Sequence, residues 1–220
     1  REKVPYDVVK SFAPVPLAHQ SPTVLVVHPQ FPAKSVTELI ALAKAKPGEL
    51  DYGSAGTGSS THLAAQLFKV MAGIFVVHVP FKGSSASLTA LMGNHVKYMF
   101  GTPGSVAPLV ASGRLRALAV TTLKPTALFP ALPTVADSGL PGYEMVSTNG
   151  VLAPAGTPAA IISTLNREIV QILHKKHIKE AFFNVGSEVI GSTPEEFSRT
   201  IKSELAKWGK IIKEAAIKAD

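Results

Sequence analysis

The stretch Ser54-Ala55-Gly56-Thr57-Gly58-Ser59-Ser60-Thr61-His62 is the most informative in the chain. Its glycines let the backbone turn sharply and approach a ligand with no Cβ in the way. Amides at a helix N-terminus point outward, and the helix dipole there favours an anion. The hydroxyls of Thr57, Ser59, Ser60 and Thr61 add donors without net charge. A small anion is what such a loop could hold; the same residues also fit a tight strand-to-helix turn with ordinary serine capping. Two other junctions share the form. Pro80-Phe81-Lys82-Gly83-Ser84 adds Lys82, either a source of long-range attraction or a solvent-facing lysine beside a cap by Ser84. Phe100-Gly101-Thr102-Pro103 has a glycine expected to give open backbone access.

Other chemistries lack their residues. Gly58 is followed by Ser59-Ser60 where a phosphate-binding loop needs Lys and then Ser or Thr, and Thr61 stands where a dinucleotide fingerprint needs its third glycine. No Gly-x-Ser-x-Gly string of a serine hydrolase occurs. The absence of cysteine excludes disulfides, thiolate zinc sites and cysteine nucleophiles. His62 could donate to an anion or serve as a plain cap. His78 reads as a satisfied core or edge residue, and His174 and His177 sit on a lysine-rich solvated face. With no metal-ligand spacing and no paired carboxylates, neither a metal nor another cofactor is expected. A net charge of +7 attracts anions or coats a basic exterior. Basic residues form no block of five, and aromatics, at 7%, do not alternate with them, which disfavours nucleic acid. No apolar run approaches the ~18 residues of a membrane span. The opening Arg1-Glu2-Lys3-Val4-Pro5 shows no charged-then-apolar leader, so a signal peptide is expected to be absent or removed.

The elements that must position these loops alternate. Strands are expected at Val24–Val27, Leu50–Tyr52, Phe75–Val79, Val96–Phe100 and Leu115–Val120. Helices between them run through Leu39–Ala43, opened by a Ser35/Glu38 capping box, then His62–Met71 ending at Gly73, Ser84 to near Gly93, and Pro103–Ser112. That pattern implies βαβ units and a largely parallel sheet. Beyond Thr121 the texture changes to a loop over Lys124–Pro133, a helical turn at Thr134–Gly139 and a brief strand at Val151–Ala153. Thr157-Pro158 and Thr193-Pro194 then each open a long helix.

Taken together, the strings resemble the tripartite tricarboxylate transporter receptors, also called Bug proteins. The resemblance rests on Pro5-Tyr6-Asp7, Pro32-Ala33-Lys34-Ser35-Val36, Ser54–Ser59 with His62-Leu63-Ala64, and His78-Val79-Pro80-Phe81-Lys82-Gly83. It extends through Gly113–Val120, Gly139-Leu140-Pro141-Gly142, Leu152–Pro158 and Lys207-Trp208-Gly209-Lys210. It implies an α/β, type II periplasmic-binding-protein-like fold of two lobes that closes on a small carboxylate and delivers it to a membrane permease. The second lobe would be complete over 24–119. Residues 1–23 would be a first-lobe remnant and crossover, and 120–220 the C-terminal part of that lobe. Family members carry a further strand–helix–strand segment before the Pro-Tyr-Asp string, so the first lobe is expected to lack its N-terminal strands. Carried over, the ligand contacts fall on Ser54, Ala55, Gly56, Thr57, Gly58, Ser59, Ser60, Thr61, His62, Phe81, Lys82, Gly83, Gly101, Thr102 and Asn149. The family commonly has Asp-Asn where Gly101-Thr102 stands, and often Trp in place of Thr148. Two other readings remain at this point. One is a small α/β enzyme using His62 or Lys82 on an anionic substrate; the other is a remnant that binds nothing.

Overall fold

Val24–Val27 is fully buried and forms β2 in the five-stranded sheet of the computed structural model, which describes residues 4–214. The other strands are β3 (Asp51–Ser54), β4 (Val77–Pro80), β5 (Tyr98–Gly101) and β6 (Arg116–Val120), in the spatial order β4-β3-β5-β2-β6. β3 pairs parallel with β4 and β5, whereas β2 runs antiparallel to β5 and β6. The expected parallel sheet is therefore present with one strand reversed. Because Val24 stands opposite both Gly101 and Val120, the amino end of β2 shares an edge with the carboxyl ends of the other four.

The helices between strands are α1 (Val36–Ala45), α2 (Ser60–Ala72), α3 (Ser84–Met92) and α4 (Pro103–Ala111). Ser35 caps α1 by accepting from Glu38 N–H, and the Glu38 carboxylate accepts from Lys34 N–H at 2.7 Å, one residue ahead of the cap. Gly73 ends α2 at φ 59°, in the left-handed region where glycine is unstrained. Ser84 does not cap α3: Gly83 holds that place at φ 101°, without a side-chain bond. An aromatic cluster of Phe68, Tyr98, Phe100 and Tyr143 lies under the sheet, and Tyr143 Oη donates to Ala64 O at 2.8 Å.

This sheet and its helices form a compact unit spanning Pro22–Ser147. Residues 120–147, expected with the C-terminal part, belong with the sheet instead. Val120 N–H donates to Pro133 O, Val135 N–H to Val120 O and Met145 N–H to Thr121 O, so the apparent loop extends the edge of β6. Thr134–Gly139 is a turn joined to Val120 by an isolated bridge.

The second unit comprises the chain up to Ser21 and from Thr148 onward. β1 (Phe12–Pro22) is its central strand, flanked by β7 (Val146–Pro154) and by β8 (Glu188–Val189), which pairs antiparallel. Three helices follow the same chain: α5 (Ala159–Leu173), α6 (Lys176–Asn184) and α7 (Pro194–Glu214). Pro158, not Thr157, is the cap residue of α5. α7 opens with a reciprocal box, Glu196 N–H donating to Thr193 Oγ1 and Thr193 N–H to Glu196 Oε2. Among the described residues no helix is long and apolar enough to cross a membrane.

Candidate functional site

The loops leaving β3, β4 and β5 emerge at the one sheet edge and run into α2, α3 and α4. They bring together every candidate from Ser54 to Thr102. Phe81 N–H donates to Ser54 O at 3.1 Å, and Gly56, at φ 119°, faces Phe81 O closely enough that a Cβ would stand 3.3 Å from it. Asn149, the remaining candidate, is exposed on β7 in the other unit.

The interior of the first loop differs from an open cradle. Ala55 N–H donates to Thr61 Oγ1 (2.9 Å), Gly56 N–H to Ser54 Oγ (3.2 Å), Gly58 N–H to His62 Nδ1 (3.1 Å) and Ser59 N–H to Gly56 O (3.2 Å). Four amides are thus engaged within the loop, and Ser54, Thr61 and His62 are buried supports rather than ligand-facing groups. Ser59 caps α2, accepting from His62 N–H while its own hydroxyl donates to Gly56 O. Ser60 begins the helix, half-buried, and Lys82 is exposed. Gly101 does not give open backbone access: a Cβ there would run into the Val106 side chain of α4, so its missing side chain makes room for packing. Thr102 precedes α4, its hydroxyl 2.8 Å from Ser105 Oγ.

Beneath the loop is an aromatic stack that spacing alone did not reveal. His62 lies 4.1 Å from His78, His78 4.9 Å from Tyr52, and Tyr52 5.5 Å from Tyr98, all close to parallel. His78 Nε2 is 2.7 Å from Ser54 Oγ, and the Gln66 amide lies 3.0 Å from Tyr52 Oη and 3.2 Å from His62 Nε2. Burial pushes the Tyr52 and Tyr98 hydroxyls up, so both stay neutral at any ordinary pH. Among the described residues no three His, Cys, Asp or Glu side chains gather as metal ligands. A separate concavity of about 320 Å³, lined by Phe31, Leu42, Leu50 and Lys97 among others, opens at the opposite sheet edge.

Over residues 1–217 the chain matches the tripartite tricarboxylate transporter family receptors. BugT of Bordetella pertussis is 34% identical over 215 residues, which covers 98% of this chain and 66% of BugT. An R. palustris protein solved with adipate shares 36% identity and a TM-score of 0.86 over 98% of this chain and 72% of its own. MatC from Rhodopseudomonas palustris, solved with bound malate, gives 26% and 0.81 over 96% and 72%. The chain thus spans about two thirds of the length of the curated relatives it matches, and the fold is the α/β fold of these binding proteins.

Proposed function

Because the chain belongs to the tripartite tricarboxylate transporter receptor family, we propose that it is the larger part of a periplasmic receptor that captures a small organic carboxylate and hands it, unchanged, to a membrane permease of that transporter class. One observation carries the reading: three loops, none containing an acidic residue, meet at one sheet edge and each runs into a helix start. A carboxylate at that edge gains from the N-terminal ends of the helix dipoles. Since the Ala55, Gly56, Gly58 and Ser59 amides are engaged internally and Thr61 and His62 are buried, the ligand contacts fall to Ser60 at the start of α2, with Lys82 and Gly83 alongside. The bound adipate and malate of two solved relatives support the ligand class. The enzyme reading loses ground because His62 is 2% exposed and has both ring nitrogens in hydrogen-bond contact.

The test is a thermal-shift screen of small carboxylates against amines and sugars of matched length. Ligand at a hundred times its dissociation constant adds about 2.7 kcal/mol, or roughly 5 to 10 °C for a chain of this size. Ser60→Asp keeps a helix-compatible, dipole-favoured residue but sets a negative charge where the ligand's would lie; affinity should fall more than tenfold with the melt intact. No shift with any acid, or unchanged affinity in Ser60→Asp, overturns the reading.

A further inference from the structure

We propose that the concavity at the sheet edge opposite the loops is a second binding site, one that takes a small molecule with a bulky apolar body and a single carboxylate. The proposal does not rest on the receptor reading above, because the two sites share no residue.

Three chain connections build the concavity, all within the sheet unit. One leaves β2 through Phe31 and Pro32, a second runs from the end of α1 to Leu50, and the third joins α3 to β5. Its volume of about 320 Å³ lies at the lower end of the ~300–1,000 Å³ range of small-molecule sites. Phe31 and Leu50, both almost wholly buried, and half-buried Leu42 give it an apolar lining. The walls are fixed before any ligand arrives. The Arg116 guanidinium donates to Pro29 O at 2.6 Å and to Phe31 O at 3.1 Å, which pins the first connection to β6. Lys46 N–H donates to Leu42 O and Glu49 N–H to Lys46 O, closing the second. Lys97 N–H donates to Asp51 Oδ1 at 2.9 Å, which ties the third to the start of β3 and engages that carboxylate with the backbone. A preformed lining keeps the ordering cost of binding low.

The rim supplies one cation that a ligand can claim. Lys46 is the C-cap of α1, and Lys97 Nζ donates to Asn94 O at 3.2 Å just past the end of α3, so both residues stand at helix carboxyl ends, where the dipole favours a cation. Glu49, the carboxylate of the lining, meets Lys46 Nζ at 3.4 Å, with both members more than half exposed. Lys97 is in no ion pair among the described residues. An ammonium has three donors, so after Asn94 O two remain for a ligand carboxylate, while the apolar body of the ligand covers Phe31, Leu42 and Leu50. The carboxamides of Gln30 and Asn94 add hydrogen bonds without an opposing charge. A second carboxylate on the ligand would be pressed against that apolar lining with no partner, which restricts the site to monoacids.

The experiment titrates the nitrogen-labelled full chain with benzoate, with benzamide as its uncharged isostere, and with succinate, and follows amide shifts by NMR. Benzoate should give saturable shifts at Phe31, Leu42, Leu50 and Lys97. Its affinity should exceed that of benzamide about tenfold, as one hydrogen bond to a charged group allows, and succinate should move none of these amides. Lys97→Met keeps the stem and the backbone bond but loses the charge, and should bring benzoate down to the affinity of benzamide. Leu42→Glu should abolish the shifts; if that variant melts early, Lys97→Met decides alone. Ser60→Asp, aimed at the loop site, should leave the benzoate shifts intact. No saturable benzoate shift at these amides, equal binding of benzamide, unchanged benzoate affinity in Lys97→Met, or loss of the shifts in Ser60→Asp overturns the proposal. Benzoate bound here in a chain whose loops bind no acid would leave the second site standing and remove the receptor reading.

Discussion

Thr121 offers the sharpest test of what holds the sheet unit together. It follows β6 and is fully buried, its Oγ1 lying 2.7 Å from Thr23 N, 3.0 Å from Thr23 O and 2.6 Å from Met145 O. A hydroxyl has one donor and two acceptor lone pairs. Here it accepts from Thr23 N–H and donates at the shortest contact, Met145 O. Thr121→Val preserves volume while leaving the Thr23 amide and the Met145 carbonyl without that partner. An unsatisfied buried polar group costs about 1–3 kcal/mol, so the substitution should destabilise the unit by roughly 2–4 kcal/mol. Thr121→Ser keeps the hydroxyl and gives up one methyl group, worth about 1 kcal/mol. The expected order is wild type, then Ser, then Val, the reverse of what packing alone dictates. Urea unfolding read by the near-ultraviolet dichroism of Tyr52, Tyr98 and Tyr143 checks it, since all three are buried in this unit. If Val lies within 0.5 kcal/mol of wild type, or above Ser, by roughly the error of such measurements, the hydrogen-bond argument is wrong.

In the other unit, the His19 ring packs at a tilt 4.8 Å from Phe182 with its Nδ1 enclosed and unpartnered. Burial lowers its pKa below the usual 6.5, so the stability it permits is complete above pH 6.5 and is lost as pH falls through the lowered value. His19→Phe should flatten the urea midpoint between pH 7.5 and 5, read by Trp208 fluorescence; an unaltered slope would assign the pH effect elsewhere. Gly150→Ala drives a Cβ into the Phe197 ring and to 2.7 Å from Pro16 O, and should cost about 1–3 kcal/mol, whereas Gly156→Ala meets nothing within 4 Å and serves as the control. Equal midpoints for the two alanine variants would show that Phe197 shifts at no cost.

Elements announced by local chemistry were legible in the sequence. Ser35 with Glu38 and Thr193 with Glu196 mark α1 and α7, Gly73 marks the end of α2, and the all-aliphatic Val24–Val27 marks a buried strand. Elements defined by partners were not. Pro14 and Pro16 interrupt the pattern of β1, which exists because β7 and β8 flank it. The lysine-rich start of α6 reads as a solvated face, and that helix indeed buries no residue fully. Nothing in the pattern of 120–147 shows that its turns complete a sheet edge, since the bonds that do so return from Pro133, Val135 and Met145 to Val120 and Thr121, and Tyr143 is held by Ala64 of α2. At the site, the loop's place between strand and helix follows from its glycines and hydroxyls, but the directions of its amides do not. Gly58 N–H faces His62, whose ring stacks on His78 of β4, 16 residues beyond the end of the loop. Gly101 likewise reads as access until Val106 is seen occupying its side.

The Thr23–Thr121–Met145 bonds also bear on the order in which the molecule assembles. The sheet unit is one continuous stretch, Pro22–Ser147, inserted between β1 and the remainder of its partner unit. In an unfolded chain, bringing β1 to β7 means closing a loop longer than a hundred residues, a slow event. Once the inserted unit has folded, its entry at Thr23 and its exit at Met145 are both fastened to Thr121, and the two strands start from neighbouring points. A long-range pairing becomes a short-range one. During synthesis the inserted unit leaves the ribosome complete before β8 and α7 exist, so β1 waits for its flanking strands while its own anchor is already being tied.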